Sequence, residues 1–200
     1  LGHSPFGHFG EEALDTLMKN EGGFDHNVQS LRCVEMLEVR HPQFPGLNLT
    51  WEVRAGLRKH QARIPGAQVD GHPIGPFQSI EAQIADIADD LTYHAHDADD
   101  ALEAGLITEE QLSQLALWRA ADARATSIAP GSPGSSHAIL VIRCLLDLLV
   151  EDVLHTSEER LARHQPASPE EVRCAPERMV DISPALRANL EPFRAFLFKH

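Results

Sequence analysis

Apolar residues recur at helical spacing through almost the whole chain, and no alternating stretch of convincing length reads as a strand. That periodicity restricts the chain to an all-α fold. Glu12 to Asn20 reads as a helix that stops at Gly22-Gly23, and Val28 to Val39 carries an apolar stripe through Val28, Leu31, Val34 and Leu37. Thr50 can cap a helix from Trp51 to His60, and the Gly- and Pro-rich residues 61 to 79 read as a loop. The strongest helix runs from Ser79 to about Ala104 and ends at Gly105. Thr108-Glu109-Glu110-Gln111 resembles a capping box that launches a helix to about Ala125. A break at 130–135 precedes two further helices, Ser136 to about His164 and Pro184 to Lys199.

Composition narrows what such a fold can serve. The chain has 200 residues, 42% of them hydrophobic, enough for one substantial core or a domain with an appendage. Its longest apolar run, Ala138 to Val150, is broken by Arg143, Cys144 and Asp147 and is too short to span a bilayer. A net charge of -13 argues against a broad nucleic-acid surface, which needs Lys and Arg to displace counterions. An anionic substrate therefore requires a local positive site or a metal. The three cysteines, Cys33, Cys144 and Cys174, form no CxxC, so reduced thiols and a cytoplasmic setting are expected. The chain opens on Leu1 rather than Met, and is read as beginning partway through a longer polypeptide.

Two constellations can carry chemistry. The first is Leu1-Gly2-His3-Ser4-Pro5-Phe6-Gly7-His8-Phe9-Gly10-Glu11, a run of titratable groups on a tight backbone. A carboxylate at Glu11 suits the dipole at the start of the following helix, which is explanation enough for it. Alternatively, Glu11 orients His8 as a general acid or base. The second is the helix from Ser79, where Asp89, Tyr93 and Asp97 share one face at i, i+4 and i+8. Asp89 adjoins the apolar residues Ile84, Ile87, Ala88 and Leu91, so partial burial is expected for it. Asp99 and Asp100 read as a solvated acidic face.

Taken together, residues 1–11, Gly22 to Arg32, Phe44 to Thr50, Ser79 to Gln83, the Asp89 helix and, weakly, Phe196 to His200 resemble the deoxyguanosinetriphosphate triphosphohydrolase branch of the HD-domain metal phosphohydrolases. The resemblance implies an HD-domain helical bundle with a C-terminal helical extension. It places a partial HD domain at 1–128 and a C-terminal helical region at 136–200. It implies hydrolysis of deoxynucleoside triphosphates to deoxynucleoside and tripolyphosphate by attack of water on the α-phosphorus.

Residue by residue, the resemblance makes Asp89 a ligand of a divalent metal (Mn, Mg or Fe), with the other ligands lying before Leu1. The 200 residues alone are accordingly expected to bind metal poorly and turn over little. It places His8 and His26 at the reacting phosphate, with Glu11 partnering His8. His3 joins the pocket wall, and Tyr93 and Asp97 contact the deoxyribose and adjacent phosphate. Arg32, in the same motif as Asn27 and Gln29, serves substrate or pairs locally. Lys59 and Arg143 are candidates for the outer phosphates, although no spacing singles them out. A homo-oligomer with nucleotide activators is also implied. Two other readings stay open: a different HD phosphohydrolase such as a 5′-nucleotidase, and a non-catalytic nucleotide-binding regulatory or assembly module.

Overall fold

Nine α-helices, a 3-10 turn at Lys19–Glu21, a π-helical turn at Cys33–Leu37 and one minimal hairpin make up the secondary structure in a computed structural model that describes residues 2–58 and 68–199, and among these the fold is all-α. Chain contacts divide it into two units, one of residues 1–82 and 167–177, the other of 83–166 and 178–200.

The first unit holds α1 (Gly7–Leu17), α2 (His26–Arg32), α3 (Trp51–Leu57), β1 (Gln68–Val69), β2 (His72–Pro73) and α8 (Pro169–Arg173). Asp25 starts α2 by accepting the N–H groups of Asn27 and Val28 at 2.8 and 3.0 Å. Asp70 and Gly71 have φ of 51° and 79°, the two positive values that a two-residue hairpin turn requires. This hairpin lies inside the segment expected to be loop. Its His72 stacks on Trp51, ring centroids 4.5 Å apart and planes 9° apart, while the Arg173 guanidinium lies over the Trp51 ring at 4.8 Å. Ser168 caps α8 and Pro169 occupies its first turn, where a missing N–H costs nothing.

The second unit contains most of α4 (Ile80–Glu103), with α5 (Glu109–Leu112), α6 (Ala116–Ile128), α7 (Gly134–His164) and α9 (Pro184–Leu197). The expected capping box is present: Gln111 N–H donates to Thr108, and the Gln111 side chain accepts from the Thr108 N–H. The helix it starts ends at once, because Arg119 turns back to donate to the Ser113 and Gln114 carbonyls at 3.1 and 2.7 Å. Ala121 and Ala125, both fully buried on one face of α6, allow α7 to approach closely with Val141, Leu145 and Leu149. The loop at 129–133 therefore joins two helices packed within one unit, and the division between units falls elsewhere in the chain.

Polar side chains fasten the segment leading into α9. The fully buried Gln83 accepts the Val180 N–H at 3.0 Å, Arg178 donates to Asp86 at 2.9 Å, and Asp152 accepts from the Ser183 N–H and hydroxyl. Ser183 in turn caps α9 by accepting the Leu186 N–H.

His94 of α4 is buried, and its imidazole is held below the usual 6.5. Burial is the main cause, with Arg194 acting in the same direction and Asp90, Asp97 and Glu191 opposing it. The native state thus binds fewer protons than the unfolded chain below pH 6.5. Stability from this residue is complete above that pH and is lost as pH falls toward the folded value. We expect His94→Gln to flatten the decline in chemical-denaturation stability between pH 7 and pH 5; an unchanged slope contradicts this assignment.

Candidate functional site

Two glycines shape the N-terminal segment. Gly2 has φ of 74°, and a Cβ there would sit 2.5 Å from both the Ser30 nitrogen and its hydroxyl oxygen. Only glycine lets the strand lie this close to α2. The consequence is that His3 stacks on His26, ring centroids 4.1 Å apart. At Gly10 a Cβ would collide with the Pro5 carbonyl oxygen, so the Pro5-Phe6 turn closes over the first turn of α1. Gly10→Ala should displace that turn and destabilise the chain by about 1–3 kcal/mol, the usual range for overpacking against backbone. A urea-unfolding midpoint equal to the parent's contradicts this.

Glu11, on α1, reaches His26, the first residue of α2. One carboxylate oxygen accepts both the His26 backbone N–H and its ring Nδ1–H, each at 2.8 Å. The backbone N–H is the larger cause, and the ring bond the next, of a Glu11 carboxyl held below its ordinary 4.5. Because an ionised carboxylate only accepts, Nδ1 must carry a proton, and in the neutral ring Nε2 keeps a free lone pair. Side-chain exposure of 23% for His26 shelters the pair while leaving its outer edge reachable.

This corrects the expected partnership. Glu11 is bound to His26, fifteen residues on, whereas His8 is exposed near the start of α1. His8 and Glu11 sit three residues apart on one helix, but the N-terminus of α2 offers Glu11 two donors rather than one. Arg32 is exposed in the last turn of α2, a position that suits the helix dipole.

The second constellation lies on α4 in the other unit. Asp89 is exposed, contrary to the expected partial burial. The buried positions of α4 are Gln83, Ile87, Leu91, His94, Ala95 and Ala98, and Asp89 is about 200° around the helix from Leu91. Ile84 and Ala88, which suggested its burial, themselves face outward. Tyr93 is 53% exposed. Asp97 is half-buried; burial lifts its carboxyl above 3.8, partly opposed by His94 and reinforced by Asp100. Among the described residues no group of three or more His, Cys, Asp or Glu is placed to hold a metal. Asp89 alone is one exposed carboxylate, so these residues do not by themselves fit a metal centre.

Of the two outer-phosphate candidates, Arg143 is exposed on α7 and Lys59 lies outside the described residues. Sequence reasoning missed the cluster of Trp51, His72 and Arg173, of which Trp51 and Arg173 line a small cleft with Glu52, Gly56 and Phe77. The Asp70-Gly71 pair was its available signal, since that dipeptide folds His72 back on the hairpin. No helix among the described residues is long and apolar enough to cross a membrane.

No protein-family model matches the chain. Individual relatives do. It is 41% identical over 222 residues to a deoxyguanosinetriphosphate triphosphohydrolase-like protein of Brucella canis, covering 100% of this chain and 54% of that protein. Proteins of the same name from Deinococcus deserti and Geobacter sulfurreducens are 43% and 40% identical, covering 100% and 99% of this chain but 50% and 52% of their own lengths. The chain spans about half the length of the curated relatives it matches. Over its whole length, the chain is thus similar to about half of each of several proteins named deoxyguanosinetriphosphate triphosphohydrolase-like.

Proposed function

We propose that, within a polypeptide of the relatives' length, this chain serves the hydrolysis of deoxynucleoside triphosphates to deoxynucleoside and tripolyphosphate. The observation that carries the reading is the Glu11–His26 pair with His3 stacked on it, in a segment matched by relatives that bear a triphosphohydrolase name. Glu11 fixes the His26 tautomer, so Nε2 is the atom at which a proton is taken up or released. As an imidazolium, His26 donates that proton to the departing 5′-oxygen while water bonds to the α-phosphorus. His8, exposed on α1, faces the phosphates as a second proton donor, and Arg32 supplies fixed positive charge.

On α4, the exposed Tyr93 ring offers a flat apolar surface to a sugar lacking a 2′-hydroxyl, and Asp97 a hydrogen-bonding carboxyl beside it. The order of motifs along the chain, which follows that of the resemblance, supports a substrate role for each set. Asp89 is proposed as one ligand of a divalent cation completed by residues outside this chain. Asp89→Ala in the longer polypeptide should cut metal content, measured by elemental analysis, at least tenfold; unchanged content overturns that role. Homo-oligomerisation, nucleotide activation and a cytoplasmic setting belong to the same proposal and rest on the resemblance and the thiol pattern.

The reading is tested by incubating the longer polypeptide with each dNTP and Mn²⁺ and identifying products by ³¹P NMR. Tripolyphosphate is expected. Inorganic phosphate or pyrophosphate would refute the proposed bond cleavage, and binding without turnover would favour a regulatory module.

A further inference from the structure

Between α6 and α7 the chain holds a hydrogen-bonded set that the proposed reaction does not use. Asp122, on α6, lies 2.6 Å from His137 Nε2, and Ser132, in the connecting loop, lies 2.9 Å from His137 Nδ1. Asp122 is an acceptor only, so Nε2 carries the proton and donates to it. Nδ1 is then left as an acceptor for the Ser132 hydroxyl proton. That is the tautomer a general base needs toward a nucleophile. The ring is 19% exposed and Asp122 48%, so the base is sheltered while the network opens to solvent.

The local backbone supports reactivity at Ser132. It sits between Gly131, with φ of 75°, and Pro133, which precedes the first turn of the 31-residue helix α7. The Pro133 carbonyl accepts the Ser136 and His137 N–H groups, and this holds His137 over the loop. Ser132 also lies two residues before the N-terminus of α7, the end of a helix that carries partial positive charge. The arginines of α6 are engaged elsewhere: Arg124 makes two 2.7 Å bonds to Glu151, and Arg119 donates to backbone carbonyls. With Asp122 adjacent and a net charge of -13, the site disfavours anionic substrates.

We propose that Ser132 and His137 form a nucleophilic site for small uncharged carboxylic esters, with Asp122 as its positioning residue. Ser132 Oγ bonds to the ester carbonyl carbon as its proton passes to His137 Nδ1, and the carbonyl electron pair moves onto oxygen. Collapse breaks the bond to the alkoxide, which leaves as the alcohol with that proton. Water then attacks the acyl-serine, giving its proton to Nδ1. The second collapse releases the carboxylic acid and returns a proton to Ser132.

The test treats the 200-residue chain with a fluorophosphonate probe, followed by peptide mass mapping and adduct-formation rates. A single adduct at Ser132 is expected, absent from Ser132→Ala and from urea-unfolded protein. His137→Gln, with folding checked by circular dichroism, should lower the rate at least about 100-fold. Asp122→Asn should also slow it, since an amide can donate to Nε2 and favour the wrong tautomer, and Asp122→Glu should restore part of the loss. No adduct at Ser132 in the folded chain, equal labelling of folded and unfolded chain, or an unchanged rate in His137→Gln overturns the proposal.

Discussion

Glu11→Ala, placed in a polypeptide of the relatives' length, is expected to reduce kcat for dNTP hydrolysis at least about 100-fold, the usual scale for a general acid–base partner. The substitution removes both acceptor contacts to His26, one to its backbone N–H and one to its ring. The imidazole loses the interaction that selects its Nδ1–H tautomer, and its stacking partner His3 loses a fixed platform. Stability should fall as well, by about 1–3 kcal/mol for losing hydrogen bonds to a charged group. Glu11→Gln separates the two effects. Its amide oxygen can still accept from the helix N-terminus, so less stability is lost than in Glu11→Ala, while the anionic partner of the ring is gone.

The pH dependence gives a further reading of the same pair. Glu11 is held below 4.5, so its contribution is present above that pH and disappears as pH falls through the folded value. Glu11→Gln should therefore lose stability at pH 7 but match the parent at pH values where the carboxyl is protonated. Equal activity of Glu11→Ala and parent, measured as kcat by product release, contradicts the assignment.

Phe193→Ala should have the largest effect on folding, with none on the chemistry of the N-terminal segment. Phe193 of α9 has 0% exposure and is the bulkiest fully buried side chain in the molecule's described residues. Truncation removes a ring's worth of burial and leaves a cavity that neighbouring helices fill only in part, costing about 3–5 kcal/mol. Pro192 just before it restricts how α9 can adjust. Chemical denaturation should show the midpoint falling accordingly; a loss below about 1 kcal/mol means that the site is not packed as described.

The helices were legible in proportion to their length. Ser79 to Gly105 reads as a helix from its apolar spacing and its glycine stop, and α4 occupies nearly that span. The Thr108–Gln111 box was equally plain, because a cap is a local device. The break after Leu112 was not, since it depends on one arginine side chain folding back on two carbonyls. The five-residue α8 and the two-residue strands β1 and β2 are too short to leave a period, although Ser168-Pro169 and Asp70-Gly71 mark their starts and turn.

The candidate site divides along the same line. Sequence identified the residue types at His3, His8, Glu11 and His26, yet assigned Glu11 to its neighbour on the helix. Which histidine a carboxylate chooses depends on where α2 begins in space, and spacing within α1 carries no such information. Asp89 shows the converse error: local apolar neighbours suggested burial, but the packed face of α4 runs through Ile87, Leu91 and Ala98. Ser132, His137 and Asp122 lie within sixteen residues of one another, and only the closing of α7 against α6 brings them together.

The most direct test of dNTP hydrolysis through attack at the α-phosphorus is turnover of the longer polypeptide in ¹⁸O-labelled water, with mass spectrometry of both products. One ¹⁸O atom is expected in tripolyphosphate and none in the deoxynucleoside. Label in the nucleoside 5′-hydroxyl, or in released inorganic phosphate, would contradict it.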